Sequence, residues 1–351
     1  MQIHAVSPRL RSFAASAVLL SAAWAAGQVA PKPVRVFILA GQSNMEGHGF
    51  VSADPKRNEG KGSLEFLAHD PATAKRFSKF LGPDGQWRRR DDVWIDYLDR
   101  KGPLAAGYGA NENLIGPELG FGWVVGDAYD EPVLLIKCAW GGKSLGVDFR
   151  PPSAGKVPYS LGEKTDAAIA QNPEIVGHYY RQTVSLVKSA LTRVQELVPG
   201  SDGRYVLSGV AWHQGWNDRI SEPFTAEYES NMAHFIQDMR KDLGAPKLPF
   251  VIAETGMSAL EETHPRALAL MAAQAAVAQR PEFKGTVAFV GTRSFWRPTE
   301  ASPNAQGYHW NCNAETYTLI GEAMGETMKG LAGVGLPAGN MTGDREGASR
   351  T

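Results

Sequence analysis

Short apolar runs recur along the chain with amphipathic stretches between them, and this alternation sets the expected fold. Val34-Arg35-Val36-Phe37-Ile38-Leu39-Ala40 is rich in β-branched and aromatic residues and is broken by Gly41, so it predicts a strand. Pro132 to Lys137, Tyr205 to Trp212, Phe250 to Ala253 and Val287 to Val290 predict four more. Their continuous apolar character fits strands covered on both faces. Between them, Pro117 to Tyr129 carries a proline just inside its start, as helices favour. Val176 to Leu197 and Thr225 to Leu243 repeat apolar residues every three or four positions. Pro265 to Gln279 is alanine-rich, and Asn313 to Lys329 opens on a natural N-cap. Strand and helix alternating in this way predict an α/β fold whose parallel sheet of about five strands carries helices on both faces.

Two stretches depart from the rhythm. Residues 51–115 and 143–175 are polar and rich in Gly and Pro, and loops of that length either carry function or hold small elements of their own. The expected organisation is one domain over residues 32–335 decorated by these loops, with residues 336–351 as a frayed tail. The amino terminus has a different character. Arg9 and Arg11 precede an apolar stretch from Phe13 to Ala26, and Ala23-Trp24-Ala25 offers a small-x-small cleavage site. Residues 1–26 are read as a secretory signal peptide, with an uncleaved anchor as the alternative, so the protein is expected in a periplasm or outside the cell. No other segment is apolar enough to span a bilayer, so no membrane attachment is expected after cleavage.

Composition adds exclusions. With 351 residues, 43% hydrophobic and 21% charged, the chain can bury a sizeable core and is not a disordered or fibrous one. Lys and Arg number 36 against 37 acidic residues, a net charge of −1, and no block of five or six like charges appears, which disfavours a nucleic-acid partner. Cys138 and Cys312 are the only cysteines, and an oxidising compartment permits a bond between them; two buried thiols is the equal alternative. The chain has no Cys-x-x-Cys and no His-Glu-x-x-His, and no metal or organic cofactor is expected.

In such a fold ligands bind beyond the carboxyl ends of the strands, and the unusual residues stand there. Gly41-Gln42-Ser43-Asn44-Met45-Glu46-Gly47 follows the first strand, Trp140-Gly141-Gly142-Lys143-Ser144 the second and His213-Gln214-Gly215-Trp216-Asn217-Asp218 the third. Gly307-Tyr308-His309-Trp310-Asn311 precedes the last helix. A serine, a histidine and a set of amide donors are what acyl transfer needs: a base to take the hydroxyl proton and N–H groups to hold the oxyanion. The Ser43 and Gly142 N–H groups and an amide from Gln214 or Asn217 are the candidate donors, and Trp140, Trp212, Trp216, Trp296 and Trp310 fall near the same edge, where aromatic rings stack on sugars or pack the core.

Gly41-Gln42-Ser43-Asn44-Met45, with Gly142, His213-Gln214-Gly215 and His309, resembles the SGNH-hydrolase superfamily. More narrowly, it resembles the sialate O-acetylesterase-like group related to carbohydrate esterase family six. The likeness extends through Ile115-Gly116-Pro117-Glu118-Leu119-Gly120-Phe121-Gly122 and Asn313-Ala314-Glu315-Thr316-Tyr317. It implies a flavodoxin-like three-layer α/β/α sandwich and hydrolysis of acetyl esters on carbohydrates, with Ser43 as nucleophile and His309 as base. Gly142 and Gln214 or Asn217 would complete the oxyanion hole, with Gln42, Asn44, His213 and Trp216 as residues expected to contact substrate. One position departs: the family commonly places Asp three residues before the histidine, and here Gln306 stands there. Asp218 is the first substitute for the acid, Glu254 the second, and a backbone carbonyl serving a Ser-His dyad the third. Glu46, Glu118 and Asp127 are expected as solvated or capping carboxylates. Arg88-Arg89-Arg90 is a solvated run or a contact for an acidic sugar. A carbohydrate-binding protein with weakened chemistry is the competing function, motivated by Gln306; a lipase- or thioesterase-like hydrolase fits the polar loops less well.

Overall fold

The first strand of the computed structural model, β1 (Val34–Gly41), is the axis of the molecule, with every residue from Val36 to Gly41 buried. The structure describes residues 31–333; the expected signal peptide and the tail over 336–351 lie outside them. After β1 come α1 (Ser43–Glu46), β2 (Gly49–Phe50), α2 (Leu64–His69), α3 (Ala74–Phe77), β3 (Val93–Tyr97), β4 (Arg100–Pro103) and β5 (Leu114–Ile115). Next are α4 (Pro117–Ala128), β6 (Val133–Ala139), α5 (Glu163–Gln171), α6 (His178–Leu191), α7 (Val194–Leu197) and β7 (Tyr205–His213). The chain finishes with α8 (Trp216–Arg219), α9 (Glu222–Asp242), β8 (Phe250–Ala253), α10 (Pro265–Gln279), β9 (Val287–Val290) and α11 (Ala314–Leu331).

Seven strands form one sheet in the order β4-β3-β6-β1-β7-β8-β9, and β2 pairs with β5 in a separate ribbon. All neighbours in the large sheet are parallel except the edge pair β3–β4. The five expected strands are all present; the two additional ones lie inside the polar excursion. Val93-Trp94-Ile95-Asp96-Tyr97 alternates buried and half-buried, the signature of a strand near an edge. Residues Arg88 to Asp92 before it and Asp99 to Lys101 after it hide that signal in a charged neighbourhood. The excursion at 143–175 likewise contains α5, a helix with no buried residue.

Strand periodicity divides β1 between two cores. Phe37 and Leu39 face one, where α4 and α11 supply Leu119, Phe121, Tyr317, Ile320 and Met324. Val36, Ile38 and Ala40 face the other, closed by α6, α9 and α10 through Val187, Met232, Phe235 and Leu270. The approach of α4 and α11 is so close that a Cβ on Gly120 would lie 2.2 Å from the Thr318 carbonyl oxygen. Asn313 caps α11, accepting from the Glu315 and Thr316 N–H groups at 2.9 and 3.3 Å. Both cysteines are free and buried. Among the described residues no helix is long and apolar enough to cross a membrane.

Candidate active site

β1 lies between β6 and β7, and their registers align Gly41 with Ala139 on one side and with His213 on the other. The three loops leaving these strands therefore start at one level, at the point where the strand order reverses, which is where open α/β sheets bind ligands. Gly41 makes the first loop possible: a Cβ there would sit 2.2 Å from the His213 carbonyl oxygen. Ser43 is then the first residue of α1, and neither its hydroxyl nor its N–H has a hydrogen-bond partner among the described residues. The Gly142 N–H is also unbonded, on a residue whose φ of 70° is left-handed. Free donors at a helix start beside a free hydroxyl make an anion-binding corner.

His309 arrives from the loop before α11. His309, Trp310, Asn311 and Cys312 all have left-handed φ, between 49° and 57°. Such a run is costly for L-residues and persists where neighbours over-determine it. Trp310 is fully buried in the α4–α11 core, and Asn311 accepts from the Gly307 N–H (2.9 Å) and donates to the Arg297 carbonyl (3.2 Å). The His309 imidazole stacks on that of His48, centroids 3.8 Å apart and planes 4° apart, on the segment just after α1. It makes no hydrogen bond among the described residues. Burial holds its pKa below the ordinary 6.5. Only the neutral ring takes a proton, so the acid limb of kcat/KM, followed with a neutral aryl acetate, is expected below pH 6.5.

Comparison with known proteins fits this geometry. The family described as carbohydrate esterase, sialic acid-specific acetylesterase matches residues 33–293. The chain belongs to that family. Carboxylic ester hydrolysis is thus its chemistry. A solved protein from Arabidopsis thaliana is 17% identical with a TM-score of 0.51, covering 85% of this chain and 98% of its own. A carbohydrate acetylesterase from Xanthomonas citri is 14% identical with a TM-score of 0.52, covering 85% of this chain and 56% of its own length. At these identities the likeness shows the fold. No curated protein matches in sequence.

In this esterase the two carboxylates considered for the acid both do other work. Asp218 is fully buried, accepts from the Leu145 (2.9 Å) and Gly146 (2.8 Å) N–H groups and from the Gln214 amide, and does not touch His309. Burial pushes its carboxyl up to about 7, opposed by those hydrogen bonds. Glu254 accepts from the Thr292 and Arg293 N–H groups (2.9 and 3.3 Å) and from Arg293 Nε (3.1 Å), again away from His309. Gln306 donates to the Tyr308 carbonyl and accepts from Asn304. An amide at Asp218 would replace an acceptor with a donor facing N–H groups. Asp218→Asn is therefore expected to lower stability by about 1–3 kcal/mol and to slow turnover by loosening the loop after Gly142; denaturant unfolding and kcat check both.

The amide donors divide. Gln214 has both N–H bonds engaged, to the Lys143 carbonyl (2.9 Å) and to Asp218, so it braces the loop. Asn217 donates one to the Gly142 carbonyl at 2.7 Å and keeps the other. Gln42, Asn44 and His213, expected at substrate, are buried instead. Gln42 Oε1 accepts from the Gly215 (3.0 Å) and Asn217 (3.3 Å) N–H groups, tying the first loop to the third. Asn44 binds Met257 Sδ and the Tyr317 hydroxyl. His213 is held down to about pKa 4 by burial. Trp212 and Trp310 are fully buried core residues. Trp216 stays half-exposed, with the Arg219 guanidinium 3.5 Å over its ring.

Beneath the nucleophile loop lies a feature sequence reasoning missed. Lys137 and Glu118 are both fully buried and pair at 2.8 Å. The Lys137 ammonium also donates to the carbonyls of Glu46 (2.7 Å) and Tyr108 (2.6 Å). Glu118 additionally accepts from the Gly116 N–H at 2.8 Å, so it does cap, but it is not solvated. Burial alone raises the Glu118 pKa and lowers that of Lys137; three acceptors around Nζ favour the ammonium. A lone lysine within the apolar run Val133–Ala139 was the available signal. Asp127 and Asp92 pair with Arg90 at 2.6 and 2.5 Å, which leaves Arg88 and Arg89 as the exposed part of the basic run.

Proposed function

We propose that this esterase is exported and removes O-acetyl groups from carbohydrates through an acetyl-enzyme on Ser43. The observation that carries the reading is the corner at the strand-order reversal, where a Cβ on Gly141 would lie 4.0 Å from that of Ser43 and, among the described residues, the Ser43 hydroxyl and the N–H groups of Ser43 and Gly142 have no hydrogen-bond partner. His309 takes the hydroxyl proton as Ser43 Oγ attacks the acetyl carbonyl, and returns it to the departing sugar oxygen. Water, deprotonated by the same ring, then releases acetate and restores the serine. The two backbone donors and the remaining N–H of Asn217 hold the oxyanion. A hydrogen bond between serine and base commonly tightens only when substrate binds. The matched family and the half-exposed Trp216 support a sugar substrate.

The test is acetate release by the protein lacking residues 1–26, on acetylated xylan, acetylated glucose and galactose, O-acetylated sialic acid and an aryl acetate. Release from a sugar ester that His309→Ala abolishes supports the reading; release only from the aryl acetate removes the carbohydrate part. That no acid bonds His309 among the described residues, with Gln306 held elsewhere, favours one second reading, a sugar-binding protein with residual chemistry. Measurable sugar binding with no acetate released would establish it. Export is checked by amino-terminal sequencing of the protein recovered outside the cytoplasm, with a new terminus expected just after Ala25 or Ala26.

A further inference from the structure

A hydrogen-bonded carboxylate does two things for a catalytic histidine: it fixes the ring and it stabilises the imidazolium. His309 has no such bond among the described residues, and the side chain in the usual acid position, Gln306, is held by Asn304 and the Tyr308 carbonyl. What lies against the ring is the imidazole of His48, parallel to within 4° at 3.8 Å. Tyr308 meets it edge-on, centroids 4.9 Å apart. His48 follows Gly47, which closes α1, and precedes β2, so Ser43 and His48 belong to one short segment. The groups facing His48 are His309, the Glu46 carboxylate at 4.0 Å from Nε2, the Lys137 ammonium and the Tyr317 hydroxyl, which meets the His48 backbone. Its Nε2 is buried and without a hydrogen bond.

We propose that His48 is a positioning residue for His309, its face-to-face stack holding the base against the nucleophile's own segment in place of a hydrogen bond from an acid. The proposal rests on the roles proposed above for Ser43 and His309. Stacking limits rotation of the His309 ring and shields one face from water, which keeps it neutral below the ordinary 6.5. It does not supply the charge stabilisation of a carboxylate. Because both stacked rings are neutral near pH 7, the contact carries no repulsion there; burial and the nearby Lys137 and His309 hold His48 down to about 4.

The test uses full turnover of an aryl acetate and begins with Ser43→Ala and His309→Ala. Turnover surviving in either overturns the Ser-His reading, and this inference with it. With both inactive, His48→Ala is expected to lower kcat about 10- to 100-fold with KM within about threefold. The acid limb of kcat/KM should rise toward pH 6.5 as water reaches His309. His48→Phe, a flat ring without nitrogens, should keep most of the activity, whereas His48→Gln, polar but not flat, should not. Wild-type kcat and an unmoved acid limb in His48→Ala would overturn the inference, as would Gln outperforming Phe.

Discussion

Replacing Ser43 by alanine is expected to reduce acetate release on the order of ten-thousand-fold or more while leaving the fold intact. The two halves of that expectation have separate causes. The hydroxyl makes no hydrogen bond among the described residues, so its removal leaves no partner unsatisfied. Alanine at the first position of α1 is a good helix former. The Ser43 N–H remains in place, as does that of Gly142, so the variant should still bind the acetylated sugar and retain only the rate that donors and orientation supply. Acetate release and sugar binding, measured beside the thermal midpoint, read the three parts. Activity above a tenth of wild type with an unchanged midpoint would remove Ser43 from the nucleophile's role.

A second large effect is expected in stability. Lys137→Met leaves the Glu118 carboxylate buried without its partner and the Glu46 and Tyr108 carbonyls without their donor. Breaking a buried pair from one side costs about 3–5 kcal/mol, because the remaining charge is uncompensated. The double variant Lys137→Met with Glu118→Leu removes both charges and should recover most of that loss, since well-packed apolar groups often replace a buried pair without penalty. Activity should not recover with it. The Glu46 carbonyl is at the end of α1, and the ammonium is what anchors that short helix to β6. Denaturant unfolding and kcat on the three proteins separate these outcomes; a single variant within about 1 kcal/mol of wild type would show that the pair does not support the loop.

Four inner strands, β1, β6, β7 and β8, and the edge strand β9 were legible because each carries an uninterrupted apolar run. Phe250–Ala253 and Val287–Val290 fall at their expected bounds, as does the helix Pro265–Gln279. β3 and β4 were not, because β3 alternates within a charged neighbourhood and β4, at the edge, is Arg-Lys-Gly-Pro with no apolar run. The expected helix over 176–197 is broken into α6 and α7 at Thr192 and Arg193, a turn that apolar spacing does not encode. At the site, residue types at strand ends identified the loops that converge. Which polar side chains face outward was not legible: Gln42, Gln214 and Asp218 look alike in sequence to free donors and acids, yet each is occupied by backbone groups of a neighbouring loop. Nor does spacing reveal that His48 and His309 stack, because the contact joins opposite ends of the chain.

That separation has a consequence for timing. Ser43 emerges well before His309, which stands on the loop that α11 must draw into place by docking on α4. With the roles proposed here, a growing chain carries its nucleophile without a base until the segment before α11 has been made. Hydrolysis begins only when α11 has packed. Recovery of activity during refolding should therefore lag behind recovery of secondary structure and serve as a clock for that final docking.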